Sequence, residues 1–220
     1  MNKSIFEAFL LRTAIPKVKD GAYIPKCLNG ETNLLWDCIW RAHRDVLAGY
    51  RYVDERFYRI YADQNAVIKV NEIDELLYDL IAKRSCALTS KTLINELYGK
   101  YKTADVAREL KDDKATTFGA IQKLVNMTLK YIFILQAYGV QDGSLPRVNP
   151  QECDCPLDSV ILASLDQNET KWTQLDERDY WNIEREILPR IFFEDASLGP
   201  ISYDFRNWPP KSDPIRRHDK

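Results

Sequence analysis

Hydrophobic positions along this chain recur at three- and four-residue spacing far more often than they alternate, and that pattern predicts helices. The longest such segment is 116–137, TTFGAIQKLVNMTLKYIFILQA. Phe118, Ile121, Leu124, Val125, Leu129, Ile132, Phe133 and Leu135 cover most of its circumference, so the helix should be buried on most sides. Thr116 or Thr117 can cap its start, and Gly139 can end it. Shorter apolar stripes predict helices over 3–14, 31–47, 54–62, 72–83, 89–101, 103–110, 157–165 and 176–188. Asn71 is the expected cap of the fourth of these and Thr89 or Ser90 of the fifth, and Pro189 is expected to end the last. Segments 15–30 and 138–154 and the proline-rich stretch after 188 read as irregular connections, and the only β-branched run is 66–70. The fold class is therefore all-α. It should be a single compact helical domain or two intertwined lobes over 1–220, with a core at about 72–190 and an active-site cleft between lobes.

Composition agrees with a core of that size: 45% of the 220 residues are hydrophobic and 11% aromatic. The formal net charge of −2 argues against a uniformly basic nucleic-acid binder, but the charge is uneven. Residues 83–130 carry ten Lys and Arg against five Asp and Glu. No run reads as a membrane span or a secretory leader, so five cysteines imply reduced thiols in a soluble cytoplasmic protein, nucleoid-associated in a bacterium or archaeon. Cys153 and Cys155, with Asp154 between, lack further ligands at metal-binding spacing, since the only histidines are His43 and His218. No metal, other cofactor or obligatory protein partner is expected. Arg41, His43 and Arg44 read as a solvated helix face.

Two residues suggest chemistry. Lys123 is a lone cation near the start of the central apolar helix, and Asp158 opens a later helix in CPLDSVIL. An amine in an apolar site can shed its proton and attack a sugar carbon, while a carboxylate steadies the positive charge that develops as a glycosidic bond breaks. Each also has an ordinary explanation: a lysine whose stem covers the core edge, and a carboxylate that caps its helix.

The segment Gly119-Ala120-Ile121-Gln122-Lys123-Leu124-Val125-Asn126 resembles the lysine-bearing motif of helix-hairpin-helix DNA glycosylases. Pro156-Leu157-Asp158-Ser159 resembles that family's Pro-Val-Asp-Thr, in the same order along the chain. Ile121 stands where the family has a second hairpin glycine, Val160 where a histidine often follows, and the family's iron–sulfur cysteines are absent. The long separation from Lys123 to Asp158 is nearest the archaeal-type 8-oxoguanine glycosylases. The resemblance implies excision of an oxidised or otherwise modified base from DNA, in repair or defence, with or without abasic-site lyase activity. Lys123 and Asp158 would be catalytic, and the partner would be duplex DNA with a flipped-out base. Gly119, Gln122, Asn126, Lys114 and Lys130 would touch the DNA, while Trp172, Trp181, Phe205 and Trp208 are candidates for stacking on a base. The alternative is a non-catalytic helical module that binds nucleic acid or protein.

Overall fold

The computed structural model describes residues 18–19, 22–23, 27–28, 31–53, 64–84, 88–103, 118–137, 139–140, 143–192 and 199–207. Two minimal antiparallel pairings come first, β1 (Val18–Lys19) with β2 (Ala22–Tyr23) and β3 (Cys27–Leu28) with β4 (Glu31–Thr32). Helices α1 (Leu34–Val53), α2 (Gln64–Ala82), α3 (Ser90–Thr103), α4 (Phe118–Ala137), α5 (Ser159–Ser164), α6 (Glu177–Phe192) and α7 (Ile201–Asn207) follow. Two 3-10 turns, Pro150–Glu152 and Trp172–Gln174, interrupt the connections. The protein is all-α. Among the described residues no helix is long and apolar enough to cross a membrane.

Helix α4 is the axis of the fold. Every residue from Phe118 to Ile132 is buried, because α1, α3, α6 and the second 3-10 turn all pack against it. Its end is a Schellman cap. Gly139 N–H donates to Gln136 O and Val140 N–H to Leu135 O, both at 3.0 Å, and Gly139 takes φ +88. The buried apolar side chains of α1 to α7 form one continuous cluster.

Several boundaries differ from the expectation for physical reasons. α1 starts at Leu34 because the Asn33 carboxamide accepts Trp36 N–H at 3.1 Å; the same residue's Nδ2 donates to Tyr78 on α2. Residues 66–70 are helical, since α2 begins at Gln64 and carries the β-branched run along as a turn of helix. Thr89 caps α3, accepting Thr92 N–H at 3.2 Å. Pro189 lies inside α6 instead of ending it. The carbonyl it leaves without an N–H partner is that of Arg185, on the exposed side where water can serve it. The stretch after 199 contains a helix, α7, anchored by Ile201 N–H on Cys153 O at 3.2 Å. His43, expected on a solvated face, is buried with Nδ1 2.8 Å from Asp74 Oδ1. The helices expected at 3–14 and 54–62 lie outside the described residues, as does 104–110, beyond the end of α3 at Thr103.

Candidate active site

A close backbone contact sets up the site. Gly119 N–H donates to Leu175 O at 3.0 Å, and a Cβ on Gly119 would lie 1.9 Å from the Trp172 carbonyl oxygen. Only glycine lets the Trp172–Gln174 turn rest on the start of α4. That contact carries the Trp172 ring to Lys123, one turn further along α4, whose Nζ stands 4.3 Å from the ring centroid.

The other wall is the extended segment 153–158, which α4 holds through side chains that imitate a neighbouring strand. Gln122 Nε2 donates to Leu157 O at 2.9 Å, and Gln122 Oε1 accepts Leu157 N–H at 3.2 Å. Asn126 Nδ2 donates to the Tyr180 hydroxyl at 2.9 Å. With both backbone groups of Leu157 fixed, the next residue has a fixed direction. Asp158 is the N-cap of α5, its Oδ1 accepting Val160 N–H at 2.9 Å and Ile161 N–H at 3.1 Å. Its Oδ2 then lies 3.6 Å from Lys123 Nζ. Lys123 and Asp158 are 7% and 5% exposed, so the pair sits in a medium that strengthens the attraction between them. The separation lies beyond a direct hydrogen bond, and the amine is held by charge and by the indole face instead of being locked to the acid.

A second buried pair lies two turns along α4, where Lys130 bridges to Asp204 of α7 and its Nζ stands 5.4 Å from the Phe205 ring centroid. Burial raises the Asp204 carboxyl above its usual range; Lys130 pulls it down, Asp158 pushes it up and Lys123 pulls it down. The two pairs therefore sense one another across the same interior. Cys155 lies beside them, its thiol pushed up by burial and then by the charges of Asp204, Glu184 and Asp158. Cys38, Cys153 and Cys155 are free and buried. Among the described residues no group of three or more His, Cys, Asp and Glu is arranged to hold a metal.

The structure thus brings Lys123, Asp158 and Trp172 together, and corrects several other expectations. Gly119, Gln122 and Asn126 are interior residues whose polar groups meet Leu175, Leu157 and Tyr180, so they offer no surface to a phosphate. Lys130 is likewise buried against Asp204 instead of facing DNA. Phe205 packs against Phe133 and Lys130, and Trp181 lines a separate cavity. Lys114 and Trp208 lie outside the described residues. Asp204 went unnoticed because its segment read as an irregular tail. Glu184 had a legible signal: Tyr180, Ile183, Glu184, Ile187 and Ile191 share the buried face of α6.

No protein-family model matches this chain, and neither a curated protein nor a solved structure does. The resemblance to helix-hairpin-helix glycosylases rests on the motif residues alone.

Proposed function

We propose that this protein is a DNA N-glycosylase that removes an oxidised or otherwise modified base, with Lys123 as amine nucleophile and Asp158 as the carboxylate. The observation that carries this reading is the 3.6 Å approach of Lys123 Nζ to Asp158 Oδ2 in a buried site beside an indole ring. Asp158 has one oxygen fixed by two backbone N–H groups, which aims the other without a side-chain rearrangement. In the reaction, Lys123 passes its ammonium proton to Asp158 and attacks C1′ of an extruded nucleotide. The C1′–N bond breaks with its electron pair leaving on the base, which takes up the proton held by Asp158. The carboxylate so regenerated offsets the positive charge on the sugar, and ring opening, with one proton of the attacking nitrogen passing to O4′, leaves an iminium between C1′ and Lys123.

A duplex panel carrying oxidised, alkylated and deaminated bases, scored for released base under single-turnover conditions, tests this. Asp158→Asn should slow release of the preferred base by about 10²-fold or more, the scale of losing one electrostatic stabiliser. Equal release by Asp158→Asn and Lys123→Gln on every substrate would end the proposal. One observation favours a non-catalytic helical binding module: the neighbouring Lys130–Asp204 pair is buried more deeply still, each residue 1% exposed, and on that reading Lys123–Asp158 is a second structural pair. DNA binding without base release from any duplex would support that module.

A further inference from the structure

Where segment 153–158 meets α6, two acids lie on one hydroxyl. Tyr180 O–H donates to Asp154 Oδ2 at 3.1 Å, and the same hydroxyl reaches the Glu184 carboxyl. Two acceptors that share a hydroxyl stand within roughly 6 Å of each other. Tyr180 has a single proton to give, and its oxygen already accepts Asn126 Nδ2 at 2.9 Å. Burial and both acids keep that proton on the phenol. The other donor to the pair among the described residues is Cys155 N–H, 3.4 Å from Glu184 Oε2. Glu184 is buried and Asp154 half-buried, and both line a cavity of about 390 Å³ between α3 and α6 that gives them a route to solvent protons. Two carboxylates this close do not both keep their charge unless donors or cations outweigh the repulsion.

The surrounding charges do not outweigh it. From α3, Lys91 favours the ionised form of Asp154, but its side chain is exposed; Glu152, from the first 3-10 turn, opposes it. α6 adds Glu177 and Arg185 at the cavity wall, one of each sign. Beside Cys155, Asp158 and the Asp204 of α7 add negative charge to that of Glu184, against Lys130 of α4. Burial pushes the Asp154 carboxyl up to about 6, and burial together with the charge of Asp154 raises Glu184 well above its usual range. We propose that Asp154, Tyr180 and Glu184 hold one acidic proton in common and act as positioning residues for Asp158, latching the segment that carries it. The chain supplies the coupling. Asp154 N–H donates to Ser90 Oγ at 2.9 Å, Cys155 N–H to Glu184 and Leu157 N–H to Gln122, and Asp158 follows directly. With the proton in place, a hydrogen-bonded bridge joins α6 to the segment. Once it leaves, two carboxylates compete for one hydroxyl, and Asp154, the less buried, turns towards Lys91 and draws the segment from α4. The latch itself involves no DNA, and its bearing on base release rests on the glycosylase reading.

Amide hydrogen exchange of the whole protein, read by NMR and corrected for the intrinsic rise of exchange with pH, tests this. Protection of the Cys155, Leu157, Val160 and Ile161 N–H groups should fall together by about tenfold per pH unit between about pH 6 and 8, the slope for one proton released on opening. Asp154→Asn leaves Glu184 the hydroxyl to itself and should flatten that dependence, which loss of a merely structural contact would not do. Glu184→Gln should flatten it too, and the half-buried position of Asp154 keeps the first variant informative should the second fail to fold. Base release by the unaltered protein, relative to Asp154→Asn, should decline over the same pH range. Exchange as described with no base release from any duplex would end the glycosylase reading and leave the latch standing. Level Cys155 protection across the range, an undiminished slope in Asp154→Asn, or loss at Cys155 while Leu157 and Ile161 stay protected would overturn the latch.

Discussion

Replacing Gly119 by alanine tests the contact on which the site is built. In an ordinary buried helix the change stabilises by about 1 kcal/mol, since alanine is the better helix former. Here the new methyl would lie 1.9 Å from the Trp172 carbonyl oxygen, a backbone atom that cannot swing aside. The Trp172–Gln174 turn must lift by more than 1 Å to restore ordinary contact, a rough figure from close-packing distances. That movement also breaks the Gly119 N–H to Leu175 O bond. Overpacking costs about 1–3 kcal/mol and the lost hydrogen bond about 1 kcal/mol, leaving a net loss of about 1–3 kcal/mol after the propensity gain. For a chain of this size that is a fall in Tm of roughly 2–12 °C. Because the lifted turn carries the indole away from Lys123, base release should fall as well, with no change in surface charge. Thermal melting followed by circular dichroism reads the first effect. A Tm unchanged or raised, with DNA affinity alone reduced, would mean that Gly119 is a phosphate contact and that the packing argument is wrong.

Other consequences follow from the same buried polar groups. Asp158→Asn keeps an oxygen able to cap α5, so stability should change by less than about 1 kcal/mol in urea unfolding while base release collapses; Asp158→Ala should lose about 1 kcal/mol as well. Lys130→Met leaves Asp204 buried and uncompensated and should destabilise by about 3–5 kcal/mol, whereas the Lys130→Met, Asp204→Leu double variant should recover most of that in the same assay. Asp154 binds its proton more tightly folded than unfolded, with its carboxyl at about 6 against an ordinary 3.8. The contribution of Asp154 to stability should therefore be lost as pH rises from about 4 to about 6, by roughly 2 kcal/mol once its partial exposure to solvent is allowed for. Asp154→Asn should flatten that part of the stability profile, and an unchanged profile would contradict the assigned environment.

The helical class was legible because the apolar spacing of α1 through α4 is dictated by packing, and packing decided the outcome. The Lys123–Asp158 encounter was legible only through motif resemblance. Nothing in composition or periodicity foretells that Gln122 will hold Leu157 and so aim the next side chain. The motif misled where local pattern and tertiary context diverge. Gly119 was expected at a phosphate and instead admits a carbonyl, while Gln122 and Asn126 face a neighbouring segment of their own chain. Polar residues four apart on an otherwise apolar helix carry that message, since buried amides must find partners inside the fold. Pro189 was misjudged because its effect depends on which side of the helix loses the hydrogen bond. α7 was missed because the glycine and prolines around it outweighed a short helical stretch.

The central claim is that Lys123 and Asp158 act together on a sugar carbon. Borohydride reduction during incubation with a duplex carrying the preferred lesion, followed by peptide mass spectrometry, addresses it directly. Hydride addition to the iminium should leave a stable secondary amine on Lys123, absent in Lys123→Gln and strongly reduced in Asp158→Asn. Base release without any adduct, or an adduct mapped to another lysine, would contradict it.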